Sequence, residues 1–262
     1  KKKCELLNIK LVYASFAPML QTYTNAMRGR LLLQQTNSIS NNYVDIVNMN
    51  DCLRNMESNV LSNRLIEYMN KAFVEDGAVI LILNNKGYST SVTCRSCGLT
   101  LTCPKCHIPL QLHKAKNELY CPSCFYKYPQ VEHCPKCNSD RLSYDGFGME
   151  KVLEVVQSIF STKNAKILKD SSYLELESII DDLNEKRLDI VITSDVFSRS
   201  IASSRINLVG IINLDVVLNS PSMDANHNAY SMLMHANNLI DNKTLVIQTY
   251  QPKHFVIKNF LI

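Results

Sequence analysis

Glycine is scarce in this sequence: seven in 262 residues, with Gly29 the only one before Gly77. No Gly-x-x-x-x-Gly-Lys-[Ser/Thr] run occurs, so these residues hold no amide loop of the kind that cradles nucleotide phosphates. There is no Asp-Glu pair, and no arginine follows Arg205. Long apolar runs are missing too. The longest clean one, Ala78 to Leu83, falls far short of the roughly 20 residues that cross a bilayer, and the Lys1-Lys2-Lys3 start precedes no secretory core. A membrane-spanning or exported chain is therefore not expected, and a cytoplasmic one is. What remains is ordinary globular composition, 46% hydrophobic and 20% charged, which argues against disorder. The length suffices for one large domain or two smaller ones. Residue 1 is Lys rather than Met, which fits part of a longer chain.

Cysteine is plentiful, with ten in all. Cys4 and Cys52 stand alone, whereas the other eight form four Cys-x-x-Cys pairs between Cys94 and Cys137. In a reducing compartment such pairs read as metal ligands rather than disulfides. The spacing lets two sulfurs from one tight turn meet the same tetrahedral ion, and Pro104, Pro122 and Pro135 follow the first Cys of their pairs, as suits a knuckle turn. Eight ligands make two Cys4 sites, hence two zinc ions per chain. Closed sites of this kind are structural, with no open position for a water nucleophile. His107, His113 and His133 lie nearby and read as surface groups or supports rather than ligands.

Zinc changes the charge argument. The formal net charge is +4. A zinc ion with four thiolates carries two net negative charges, so two such sites cancel it. Global charge gives no support for nucleic-acid binding, and any basic patch must be local.

Around the cysteine block, strand and helix patterns alternate. Strands are expected at Leu11 to Ser15, Tyr43 to Met49, Ala78 to Leu83, Ala165 to Lys169, Leu188 to Thr193, Asn207 to Leu214 and Thr244 to Gln248. Helices are expected at Met19 to Arg30, Val60 to Val74, Lys151 to Phe160, Leu174 to Glu185 and Met223 to about Leu239. Thr36 to Asn42 reads as polar linker, and the C-terminus as a tail. This alternation implies a parallel α/β sheet interrupted by a zinc-binding insertion.

The residues from Leu81 to Glu150 resemble the primosomal replication-restart helicase family (PriA, primosomal protein N′). The resemblance is carried by Leu83-Asn84-Asn85-Lys86-Gly87-Tyr88, Cys94-Arg95-Ser96-Cys97-Gly98 and Cys103-Pro104-Lys105-Cys106. It continues through Leu110 to His113, Leu119-Tyr120-Cys121 to Cys124, Cys134-Pro135-Lys136-Cys137-Asn138-Ser139 and Gly146-Phe147-Gly148-Met149-Glu150. Weaker similarity extends from Ala14 to Thr22 and over Val246-Ile247-Gln248-Thr249-Tyr250-Gln251-Pro252. The resemblance implies a RecA-like helicase lobe, a parallel sheet flanked by helices. It divides the chain into the end of lobe 1 with a linker (1–42), a first part of lobe 2 (43–93), a double-zinc insertion (94–140) and the rest of lobe 2 (141–262). It also implies nested zinc sites: Cys94, Cys97, Cys134 and Cys137 for one ion, Cys103, Cys106, Cys121 and Cys124 for the other.

The chain departs from the family where catalysis is concerned. A Gly-Arg-x-Gly-Arg box is expected after the helix near Tyr230 to Met234, and His235-Ala236-Asn237-Asn238-Leu239 stands there. The preceding Gly-Thr-Gln motif and its Lys-Gly are replaced by Thr193-Ser194-Asp195 and Arg199-Ser200, and Ala17 stands in place of a Thr. Without arginines to meet the γ-phosphate, such a site loses roughly 10³–10⁵ in turnover. The expectation is a replication-restart protein that binds forked or single-stranded DNA and primosome or single-strand-binding proteins, with ATP use and unwinding lost. The competing expectations are lobe 2 of an active 3′→5′ helicase and a zinc-stapled interaction module. Lys86, Tyr88, Arg95, Lys114, Lys116, Tyr120 and Lys127 are the candidate DNA contacts. They combine cations with rings, as Phe125, Tyr126 and Tyr128 do beside them, and that mixture suits stacking on unpaired bases.

Overall fold

The apolar run beginning at Ala78 lies at the centre of the fold. The computed structural model describes residues 2–34, 41–84, 92–94, 96–97, 99–107, 110–113, 118–121, 124–129, 131–143, 148–168, 173–194, 203–220 and 222–261. The chain divides into two compact units, Lys1–Ile39 and Ser40–Ile262.

The first unit contains α1 (Lys2–Leu6) and α2 (Leu20–Met27). α2 stops where Gly29 turns to a φ of +71°, a conformation that glycine takes without steric cost. Leu11 to Ser15, expected as a strand, is not one. Its residues have β propensity, but a strand is held by its ladder, and among the described residues none pairs with it.

The second unit runs β1 (Tyr43–Asn48), α3 (Met49–Arg54), α4 (Asn63–Val74), β2 (Ala78–Ile82), then the insertion, with β3 (Thr93–Cys94), β4 (Gln111–His113), β5 (Glu118–Tyr120), β6 (Lys127–Pro129) and β7 (Leu142–Ser143). It resumes with α5 (Met149–Ile159), β8 (Ala165–Leu168), α6 (Tyr173–Asn184), β9 (Ile190–Thr193), β10 (Ile206–Ile211), α7 (Asp215–Leu218), α8 (Ala225–Asn237), β11 (Thr244–Thr249) and α9 (Phe255–Phe260). Six strands form one sheet in the order β1-β11-β10-β2-β9-β8, and every neighbouring pair is parallel. The α/β class expected from the alternation is what the structure has.

Side-chain alternation along β2 explains why its whole length is apolar. Ala78, Ile80 and Ile82 point to one face, where α6, α7, α8 and α9 supply Ile179, Leu183, Val217, Leu233 and Ile257. Val79 and Leu81 point to the other, where α3, α4 and α5 supply Met49, Leu65, Met69, Val152 and Val156. A strand covered on both faces has no polar side to alternate with. Burying each large side chain contributes roughly 1.5–3 kcal/mol. Gly210 on β10 lets α4 come close: a Cβ there would meet Leu65 Cδ1 at 3.1 Å and Leu81 Cδ2 at 3.0 Å.

Four short helices were not visible in the sequence pattern: α1, α3, α7 and α9. The last replaces the expected tail and buries Val256 and Ile257. No helix among the described residues is long and apolar enough to cross a membrane.

Candidate metal centres

The insertion leaves the sheet after β2, its central strand, and rejoins it through α5. Its entry and exit lie side by side, because β3 pairs antiparallel with β7. Within it, β4, β5 and β6 make a small antiparallel sheet over a core of Leu101, Leu110 and Leu119. Two buried cysteines, Cys103 and Cys121, belong to the same core.

The eight cysteines gather into two groups of four. The sulfurs of Cys94, Cys97, Cys134 and Cys137 lie within 4.8 Å of one another, as do those of Cys103, Cys106, Cys121 and Cys124. The grouping is nested, outer pairs together and inner pairs together. Closest approaches across the outer group are 3.6 Å for Cys94–Cys137 and 3.7 Å for Cys97–Cys134. Across the inner group they are 3.6 Å for Cys103–Cys124 and 3.2 Å for Cys106–Cys121. Disulfides would need about 2.05 Å, and none is formed. Four sulfurs around a tetrahedral zinc ion stand about 3.8 Å apart, so both groups fit such an ion. The eight thiols would hold it, and it would supply a staple between distant turns. Neither His107 nor His133 joins a group.

The knuckles form through backbone hydrogen bonds. The Cys121 and Cys134 amides donate to the carbonyls of Tyr126 and Ser139, each at 2.8 Å, and Cys94 donates to Leu99 at 2.8 Å. Amides inside the turns point at sulfur: Lys105 N–H donates to Cys103 Sγ and Lys136 N–H to Cys134 Sγ, both at 3.4 Å. These donors act on the thiols. Burial pushes the Cys134 thiol up, but the Cys137 and Lys136 amides outweigh it and hold its pKa at about 7. The same balance lowers Cys103. At Cys97 burial, joined by the neighbouring thiols, outweighs the lowering effect of the Leu99 amide and pushes its pKa up to about 12. The two outer knuckles are also tied by Ser96 and Ser139, whose hydroxyls lie 2.6 Å apart.

Of the candidate DNA contacts, Lys86, Tyr88, Arg95, Lys114 and Lys116 lie outside the described residues. Tyr120 and Lys127 are neighbours in the β5–β6 ladder, and Lys127 is engaged with Glu118 at 3.2 Å. The rings do not make one platform. Tyr128 pairs with Leu119 and packs on the insertion core with Tyr126, while Phe125 is exposed.

Arg205, the last arginine, is committed within the lobe. Its guanidinium donates to Leu183 O at 3.0 Å, Leu188 O at 2.7 Å, Asp76 O at 3.1 Å and Asp189 Oδ1 at 2.8 Å. The segment His235 to Leu239, where the resemblance implies an arginine box, serves as a helix end. Asn238 Nδ2 caps the Met234 carbonyl at 2.7 Å, and Asn42 Nδ2 reaches Asn237 O at 2.7 Å. Sequence reasoning did not single out Asp215. Burial raises its carboxyl pKa, yet the oxygens accept from Tyr250 N–H at 2.8 Å and Gln251 Nε2 at 3.1 Å, locking α7 to the end of β11. The signal available was the Gln-Thr-Tyr-Gln run after an apolar strand.

The fold and site define a class: a six-stranded parallel α/β lobe carrying an insertion with two four-cysteine centres. Comparison with known proteins gives the particular relatives. No family model matches the chain. The chain is 28% identical over 263 residues to the replication restart protein PriA of Borreliella burgdorferi, covering 96% of this chain and 39% of the relative. It is 25% identical over 268 residues to the Bacillus subtilis protein of the same name, covering 98% and 33%. For the Thermotoga maritima protein the values are 27% over 269 residues, 100% and 36%. The resemblance stated from the sequence thus extends along the whole chain, which spans little more than a third of these relatives. Among solved structures, yeast Dbp5 bound to RNA and ADP BeF3 aligns with a TM-score of 0.41 at 14% identity, over 95% of this chain and 46% of that one.

Proposed function

We propose that the chain is the end of the first lobe and the second lobe of a cytoplasmic replication-restart protein, held as a binding scaffold. In this reading residues 1–42 end the first lobe, 43–93 and 141–262 form the second, and 94–140 are the double-zinc insertion. Zinc occupies both Cys4 groups, because a soft, closed, four-thiolate set favours it over harder ions. Forked or single-stranded DNA and a primosome or single-strand-binding protein are the partners, met through the insertion and the surface around Lys86, Tyr88, Arg95, Lys114, Lys116, Tyr120 and Lys127.

The observation that carries this reading is the pairing of two intact four-cysteine groups with an arginine-poor lobe. All eight sulfurs gather in two groups of four, whereas the last arginine in the sequence, Arg205, is consumed by three carbonyls and Asp189. Similarity to proteins named for replication restart supplies the biological setting. The test is one anaerobic preparation of the chain assayed for metal content, binding to forked DNA and fork-stimulated ATP hydrolysis. Two zinc ions with DNA binding and no turnover supports the scaffold. Turnover supports an active helicase lobe, and metal without DNA binding supports a zinc-stapled interaction module.

A further inference from the structure

In the three knuckles where it is among the described residues, the residue after the second cysteine lies in the left-handed region: His107 at φ 58°, Phe125 at 56° and Asn138 at 56°. The turn demands it. The backbone must fold back so that this residue's N–H reaches the first cysteine's carbonyl, at 2.9, 3.0 and 2.8 Å respectively. Asparagine and histidine are enriched in this conformation, whereas a bulky aromatic there is an outlier. Nor does Phe125 recover the strain by burial, since it is 76% exposed. Glycine would relax the turn and remove the exposed ring together. The chain instead holds an aromatic face in solvent beside Cys124, at the rim of the inner centre. Strain without an internal return is a mark of functional positions.

The surroundings select the partner. Tyr126, the next residue, packs on the insertion core, and Lys105 Nζ sits 5.1 Å from its ring centroid. Among the described residues no acid pairs with Lys105, in contrast to Lys127, which is engaged by Glu118. An exposed ring, with an exposed ammonium set against the ring of the adjoining Tyr126 and bound to no acid among the described residues, matches an unpaired nucleotide, whose base stacks and whose phosphate needs a cation. An apolar pocket on a protein would use the ring and leave the ammonium idle.

We propose that Phe125 is a base-stacking residue for single-stranded nucleic acid, with Lys105 meeting the adjoining phosphate. The proposal rests on the reading of the insertion as DNA-binding and deepens it. The test is fluorescence anisotropy of a labelled oligo-thymidine strand with the metal-loaded full chain. Phe125→Gly and Phe125→Asn both tolerate the left-handed turn, so binding is compared at full metal content, checked by metal analysis. Each should bind roughly 10-fold more weakly, the weight of one stacked base, while Phe125→Tyr keeps the parent's affinity. Lys105→Gln should flatten the salt dependence by about one unit. Unchanged affinity in both Phe125 variants overturns the inference and leaves the wider DNA-binding reading standing. Absence of oligonucleotide binding by the parent chain overturns both.

Discussion

The side-chain carbonyl of Gln248 accepts a hydrogen bond from the backbone N–H of Ser62 at 2.8 Å, across 186 residues of sequence. Both residues are fully buried. The Gln248 amide nitrogen donates to Val60 O and Ile212 O, each at 2.9 Å, and Ser62 Oγ accepts from Leu65 N–H to start α4. One side chain thus satisfies three backbone groups from two separate turns.

Gln248→Leu should therefore destabilise the lobe by roughly 3 kcal/mol, because the leucine fills the space and leaves those groups without partners. Urea unfolding followed by far-UV circular dichroism measures it. A loss under about 1 kcal/mol would mean that water replaces the amide.

Cys106→Ser should remove one metal ion per chain and unfold the insertion while most of the α/β lobe survives. The lobe has two large apolar layers of its own, whereas the insertion core is small and partly built of ligand cysteines. Cys52→Ser should keep full metal content. Cys52 packs in the lobe core, where burial pushes its thiol up to about 11, and belongs to neither cysteine group. Metal analysis with limited proteolysis distinguishes the two. Loss of metal in Cys52→Ser would contradict the grouping.

Metal affinity should fall as pH falls from 8 to 6. Binding requires thiolates, and burial raises the pKa of Cys94 and of Cys97, the latter to about 12, so both are protonated in the free protein at neutral pH. The ion must displace those protons, and acid favours the protonated, metal-free form. Competition with a zinc chelator across that range checks it, and a flat profile would count against thiolate ligation.

Nucleotide hydrolysis should be undetectable with this lobe, even on forked DNA and with an active first lobe supplied. Positioned cations provide most of the catalysis in phosphoryl transfer, and Arg205 is held by Leu183, Leu188 and Asp189. A coupled ATPase assay settles the matter. DNA-stimulated turnover on the order of 1 s⁻¹ would return the lobe to the active helicases.

Periodicity in the sequence located the strands that are buried on both faces, because β2, β9 and β11 have little choice of residue. It located α4 as well, since the apolar positions fall on one side of a helix capped by Ser62. The cysteine pairs were equally legible, as metal ligation restricts spacing more tightly than packing does. Leu11 to Ser15 misled because propensity is local and a ladder is not. The aromatic cluster was legible only as composition. In strands of three residues, a single register decides which rings turn inward, and composition is silent on register. Tyr128 opposite Leu119 could be found only from the pairing. Gln248 and Asp215 stayed hidden because their partners lie up to 188 residues away.

The nested cysteine grouping gives assembly a direction. Joining Cys106 to Cys121 closes a loop of 15 residues, whereas joining Cys97 to Cys134 closes one of 37. Loop-closure entropy alone favours the inner ring by about 1 kcal/mol, and a formed inner ring shortens the free chain the outer one must gather. The inner ion thus acts as a template for the outer, and stripping the outer first leaves a half-loaded intermediate with its core intact. The reverse order leaves a long loop anchored only at its base, next to the central strand of the sheet.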